Sequence, residues 1–166
     1  APSQAGGPVP LARPATYTAA PVRTASNTAA RKEPLPSPPA AAGSLIWPVE
    51  GKILSTYGPK ANGLHNDGIN IAADMGAPVR AAQSGVVAYS GNELKGYGNL
   101  LLVRHENGWM TAYAHNSKLL VQRGDTVARG QTISLAGNSG SVVTPQVHFE
   151  VRQGAKAIDP QTVIGR

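Results

Sequence analysis

From Ser44 onward the chain alternates. "KILSTYG", "GINIAA", "VVAYSG", "NLLLVRH", "WMTAYAH", "TISLAG" and "VHFEVR" carry apolar residues at every second position or in short runs, bounded by Gly, Asn, Asp or Pro. Such runs predict short β-strands, and "LIWPV" at 45–49 reads the same way. No window sustains a helical period. "ENG" at 106–108 lies between two alternating runs and predicts a hairpin. "LLVQRGDTVARGQTI" predicts a strand–turn–strand corner, with Gly124 and Gly130 as turn formers. The expected fold class is all-β, a mainly antiparallel sandwich or barrel-like domain over residues 45–166.

Residues 1–44 differ in kind. Ala, Pro, Ser and Thr dominate, and nine of the fourteen prolines lie here. So few large apolar residues cannot offset the entropy of ordering the chain, so a disordered Pro/Ala-rich linker is expected over 1–44. The formal charge of +6 favours acidic partners such as anionic polymers or nucleic acid; among these, peptidoglycan is expected as a partner and nucleic acid is not. The absence of cysteine excludes disulfides and thiolate metal sites. No apolar run reaches the length of a membrane span, so no membrane insertion is expected in this fragment.

Strand parity sorts the polar residues. In "WMTAYAH", Met110, Ala112 and Ala114 share one face, and Trp109, Thr111, Tyr113 and His115 the other. In "QVHFEVR", Val147, Phe149 and Val151 oppose Gln146, His148, Glu150 and Arg152. In "NDGINIA", Ile69 and Ile71 oppose Asn66, Gly68 and Asn70. If these strands are neighbours, Asn66, Asn70, His115, Gln146 and His148 line one groove. His65 has the parity of Ile69, so only a bulge or loop at 65–66 turns it inward.

The run from "GAPVRAAQSGVVAYSG" through "GYGNLLLVRHENGWMTAYAHN" and "VQRGDTVARGQTISLAGNSG" to "QVHFEVRQGAKAIDP" resembles the LytM domain of lysostaphin-type zinc endopeptidases, in particular its NlpD/DipM-like branch. The resemblance covers roughly residues 46–162. It implies an antiparallel β core with a zinc-holding groove. Active members carry a His-x-Gly-x-Asp and a His-x-His motif; the first His, the Asp and the last His hold zinc. Carried across, those ligand positions are Asn66, Asn70 and His148. The two histidines that assist the zinc-bound water match Gln146 and His115, the latter following Tyr113.

Amide oxygens are neutral and poor zinc ligands, and catalytic zinc sites usually present three His, Asp or Glu side chains. Gln146 cannot exchange a proton near neutral pH. The expectation is therefore a site with no metal, no cofactor and no catalytic residues. The groove residues Asn66, Asn70, Trp109, Tyr113, His115, Gln146 and His148 would instead bind a partner. The resemblance implies a regulator that activates peptidoglycan hydrolases during cell division, namely N-acetylmuramoyl-L-alanine amidases and lytic transglycosylases, in the periplasm. Two alternatives stay open. One is an active zinc endopeptidase in which His65 loops in; the other is a passive peptidoglycan-binding module.

Overall fold

The computed structural model describes residues 34–165. The expected linker over 1–44 lies, for its first 33 residues, outside the described residues. From Pro36 the backbone is held by side chains of the β domain. Arg104 Nη2 donates to Pro36 O (3.2 Å), Ala41 N to Glu106 Oε2 (2.9 Å) and Ala42 N to Gln83 Oε1 (2.7 Å).

Twelve strands follow: β1 (Ile53–Ser55), β2 (Gly58–Pro59), β3 (His65–Asn66), β4 (Ile69–Ala72), β5 (Pro78–Arg80), β6 (Gly85–Gly91), β7 (Asn99–Arg104), β8 (Trp109–Leu119), β9 (Thr126–Val127), β10 (Thr132–Ala136), β11 (Gln146–Gln153) and β12 (Lys156–Ile158). A four-residue helix, α1 (Pro160–Val163), closes the domain, with the Asp159 carboxylate accepting from Gln161 N. The main path of the large sheet is β9-β6-β7-β8-β11-β4-β1; β10 joins it at β8, β5 pairs with β10, and β12 pairs with β11. All strand pairs are antiparallel, and β2 and β3 form a separate ribbon. The fold is thus all-β and antiparallel, with one short helix.

The predicted hairpin forms at Glu106–Gly108, where Asn107 and Gly108 take left-handed backbone (φ 64° and 81°) and Arg104 pairs with Met110. "LIWPV" does not become a strand. Pro48 has no N–H to extend a ladder. The segment makes single contacts instead: Leu45 bridges Ile164, Ile46 N donates to Ala82 O, and Pro48 O accepts from Arg80 N.

One face of the sheet is the core. Phe149 stands between Ile69 on β4 and Tyr113 on β8, and Val151 lies opposite Thr111. Ile69, Tyr113, Phe149, Val151, Val103 and Ile133 are wholly buried. At about 25 cal/mol per Å² of apolar area, each such large side chain stabilises the fold by roughly 1.5–3 kcal/mol. Gly68 lets β4 lie this close to β11, because a Cβ there would collide with the Phe149 carbonyl oxygen. The opposite face near β8 is thinner, with Leu100, Ala112 and Ala114 packed against Tyr89, Tyr97 and Leu102.

Candidate functional site

That thinner face holds a cavity of about 290 Å³, lined by His65, Asn66, Asp67, Gly96, Tyr97, His115, His148 and Glu150. Small neighbours make the room. His148 and Glu150 on β11 lie opposite Ala114 and Ala112 on β8, which leaves space for an imidazole, a carboxylate and the Tyr97 ring. The Tyr97 and His148 ring centroids are 6.0 Å apart.

His115 reaches the cavity by breaking strand parity. Thr111 and Tyr113 lie on the core face, and regular alternation would send His115 after them. Instead His115 adopts left-handed backbone (φ 69°), and its ring comes within 6.2 Å of His148. A non-glycine residue there carries strain of about 1–3 kcal/mol, so the surroundings must impose it. The buried Asn116 does so. Its Nδ2 donates to Tyr113 O and Asn99 O (both 2.9 Å), and its Oδ1 accepts from Ser134 Oγ (2.8 Å). Asn99 Nδ2 donates back to Asn116 O (2.8 Å). His115 Nδ1–H then donates to Ser139 O (2.8 Å), leaving Nε2 as the ring's acceptor. Burial, partly countered by the Ser139 carbonyl and reinforced by His148, holds His115 below the usual histidine range.

The floor is a chain of amides. Gly68 N–H donates to Asn66 Oδ1 (3.0 Å), which fixes the Asn66 amide. Asn66 Nδ2 therefore donates, to Ser55 Oγ and to Asn70 Oδ1 (both 3.0 Å). Asn70 Nδ2 donates to Gln146 Oε1 (2.8 Å). His148 lies between two acceptors, with Nδ1 3.2 Å from Asn70 Oδ1 and Nε2 2.9 Å from Glu150 Oε2. Both ring nitrogens thus have a protein oxygen as partner. Asn70 and Gln146 belong to this network without lining the cavity.

The floor continues through charge. Glu150 Oε1 accepts from Arg152, whose Nη2 also reaches Asp67 Oδ2 (3.3 Å); Asp67 Oδ1 faces His65 Nδ1 at 3.0 Å. Burial pushes the Glu150 carboxyl up, but the His148 and Arg152 partners together outweigh it and hold the group below the usual carboxylate range.

A zinc ion does not fit this donor set. Asn66 and Asn70 offer neutral amides already bonded to each other, and both His148 ring nitrogens are engaged by Asn70 and Glu150. The contact of His148 with Glu150 has the form of the outer-shell bond that orients a metal-ligating histidine. Here the ring's other nitrogen meets the Asn70 oxygen. Among the described residues, no group of three His, Cys, Asp or Glu is arranged to hold a metal ion.

The structure thus brings together Asn66, Asn70, His115, Gln146 and His148. It corrects two expectations. Tyr113 does not face the groove: it is wholly buried in the core, its hydroxyl accepting from Ala82 N (2.9 Å) and bonded to Thr111 Oγ1 (2.7 Å). Trp109 shares that parity and lines another cavity, with Ala41, Leu45, His105 and Val163. His65 lines the groove after all, because β3 lies outside the large sheet and the parity of β4 does not extend to it. Asp67, Tyr97, Glu150, Arg152 and Asn116 were missed. For Glu150 and Arg152 the signal was present, since both share the parity of His148.

Residues 64–160 match the model of peptidase family M23. The chain belongs to that family, and its fold is that of a LytM domain. It is 42% identical to the cell division protein DipM of Caulobacter vibrioides over 75% of this chain and 21% of DipM. It is 41% identical to the murein hydrolase activator NlpD of Escherichia coli over 69% of this chain and 29% of NlpD. A crystal structure of a putative M23 peptidase from Pseudomonas aeruginosa superposes with a TM-score of 0.69 at 30% identity, over 85% of this chain and 58% of that one. The chain therefore spans well under half the length of the two named relatives.

Proposed function

We propose that this domain is a non-catalytic activator of peptidoglycan hydrolases and that the amide-floored groove is its docking site. The supporting observation is the hydrogen-bonded chain through Asn66, Asn70, Gln146 and His148, which fills the family's three metal-ligand positions and one water-assisting position with side chains that hold one another. The reading agrees with the names of the relatives, a murein hydrolase activator and a cell division protein.

The partners are N-acetylmuramoyl-L-alanine amidases and, secondarily, lytic transglycosylases, and the compartment is the periplasm. No helix among the described residues is long and apolar enough to cross a membrane. Activation is a population shift. A hydrolase held closed by its own segment opens when the groove binds the open form preferentially. Moving that equilibrium from 1:99 to 99:1 takes about 5.5 kcal/mol of differential affinity.

The test is dye release from labelled sacculi by a candidate amidase, with and without this chain. The expected result is release that rises only when both proteins are present. Chelator-sensitive release by the chain alone, with about one zinc bound per chain, would establish a peptidase instead. Binding to sacculi without stimulation of any hydrolase would establish a passive wall-binding module.

A further inference from the structure

The groove satisfies most of its own polar atoms. Asn66 uses its oxygen and both amide hydrogens, and His148 uses both ring nitrogens. Both oxygens of Glu150 and both of Asp67 are engaged by Arg152, His148 and His65. A cation therefore finds no free carboxylate oxygen, and an anion meets two carboxylates. In the lining, three side-chain atoms have no hydrogen-bond partner among the described residues: His65 Nε2, His115 Nε2 and the Tyr97 hydroxyl oxygen. His65 is about half exposed to solvent. His115 is only 5% exposed, and Tyr97 is half-buried.

The two enclosed groups are an acceptor and a donor. Ser139 O can only accept, so His115 Nδ1 carries the hydrogen and Nε2 holds a lone pair. Burial, the main cause of the lowered His115 pKa, keeps a second proton off Nε2 at neutral pH. The Tyr97 hydroxyl keeps its hydrogen. Burial first and Glu150 next hold it above the usual tyrosine range, with Arg152 countering and Asp67 adding.

One loop holds both groups in place. Between β10 and β11, Ser139 O accepts from His115 Nδ1 (2.8 Å), and Ser141 N donates to Gly96 O (3.1 Å), directly before Tyr97. A Cβ on Gly140 would collide with Gly96 O, so the loop lies hard against the Tyr97 turn. Ser139 Oγ donates to Asn116 O (2.6 Å) and accepts from Asn99 N (3.0 Å), which fastens the loop to β8 and β7. A donor and an acceptor fixed by the same loop, and not bonded to each other, are preorganised for a third group.

We infer that this pair receives a side-chain carboxamide of the partner hydrolase, an asparagine or glutamine. Its N–H donates to His115 Nε2, and its carbonyl oxygen accepts from the Tyr97 hydroxyl. A carboxamide is neutral and carries its donor and acceptor on separate atoms, as the charge-satisfied lining requires. The cavity of about 290 Å³ lies at the lower end of ligand pockets, roughly 300–1,000 Å³, and so admits a side chain rather than a length of chain. The inference rests on the activator reading for the identity of the partner. The chemistry of the pocket is tested without it.

The probe is butyramide, a glutamine-like carboxamide on an apolar stem, added to the full chain at neutral pH while the histidine ring nitrogens are followed by NMR. Before any addition, His115 should show its hydrogen on Nδ1; a hydrogen on Nε2 overturns the inference. Butyramide should then move the His115 Nε2 signal saturably. N,N-dimethylbutyramide, which lacks the N–H, and the charged n-butylammonium and butyrate should leave it in place at the same concentrations. Tyr97→Phe removes only a hydroxyl that no described residue engages, so the fold stands, and butyramide binding should weaken about fivefold. No saturable response to butyramide, an equal response to any of the other three probes, or undiminished binding in Tyr97→Phe overturns the inference. Sacculus assays separate the two ideas. Stimulation of a hydrolase without butyramide binding keeps the activator function and loses the carboxamide site; butyramide binding without stimulation does the reverse.

Discussion

The central sheet carries a polar network on each face, and the two have different fates. On the core face, His105 Nδ1 donates to Ser84 O (2.7 Å), and His105 Nε2 meets Thr111 Oγ1 (2.8 Å). Thr111 bonds the Tyr113 hydroxyl, which accepts from Ala82 N. With His105 neutral the donors run in one direction, and the chain begins and ends on backbone. On the groove face, the amides and charges from Gln146 to Asp67 are equally well bonded, but they border an open cavity. Both networks are built largely on strand side chains, Thr111 and Tyr113 on one face and Asn70, Gln146, His148, Glu150 and Arg152 on the other, with His105 and Asp67 added from the turns beside them. A polar network that ends on backbone specifies a core, whereas one that ends at a cavity leaves donors and acceptors for something else.

The largest effect that separates the two faces is restoration of a metal. Asn66→His, Asn70→Asp and Gln146→His together rebuild the family's motifs around His148. Asn66 and Asn70 are half-buried and Gln146 is buried, and a bound zinc ion favours the deprotonated forms of the new side chains. Zinc is expected to rise from trace to about one per chain, measured by metal analysis after dialysis against submicromolar zinc. That corresponds to about 8 kcal/mol or more of binding free energy. A triple variant that folds and remains zinc-free would show that backbone placement, and not the loss of ligands, excludes the metal.

Tyr113→Phe breaks the core network alone. It leaves Ala82 N–H without its acceptor and interrupts the bond to Thr111 in a dry interior, where an unsatisfied polar group costs about 1–3 kcal/mol. The same burial pushes the Tyr113 hydroxyl up to about 12, so it stays protonated throughout the working range. Urea unfolding should show the stability loss, and hydrolase stimulation per folded molecule should not change. A Tyr113→Phe chain of normal stability with lost stimulation would return Tyr113 to the functional surface.

Asn66→Ala with Gln146→Ala breaks the groove network alone. Water in the cavity replaces the Asn66 bonds, while loss of the buried Gln146 leaves Asn70 Nδ2 without its acceptor, so stability falls by no more than about 1–3 kcal/mol. Stimulation at subsaturating concentration should fall about tenfold, equivalent to about 1.4 kcal/mol. Unchanged stimulation would remove the groove from the docking site.

The sequence pattern was enough for the hairpin and for the strands other than the one expected at 45–49, because turn residues and alternation are local. It was enough for the grouping of Asn66, Asn70, Gln146 and His148 because all four lie on regular or adjoining strand. It misplaced Tyr113 and Trp109, since equating polar with outward ignores hydroxyls satisfied inside the core by His105, Thr111 and Ala82. It placed His115 in the groove for the wrong reason. The side chain is there because Asn116, clamped by Asn99 and Ser134, reverses the backbone at that residue. Contacts between residues 17 and 18 positions apart set that bend, and no local periodicity encodes them.

The smallest effect is the pH dependence that the core network imposes. Burial, only partly offset by the Ser84 carbonyl, holds His105 below its ordinary value of 6.5 in the folded chain. The unfolded chain therefore binds the proton first as pH falls. Stability from keeping His105 neutral is fully present above about pH 6.5 and is lost as pH drops from there toward the folded value. The slope is at most about 1.4 kcal/mol per pH unit for one histidine. His115, also lowered, adds a second term in the same direction. Urea unfolding at pH 7.5 and 5.5 should show the acid-side loss in the wild type. His115→Asn should retain the share that belongs to His105. A variant with no remaining slope between those pH values would assign the whole dependence to the groove and leave the core network electrically silent.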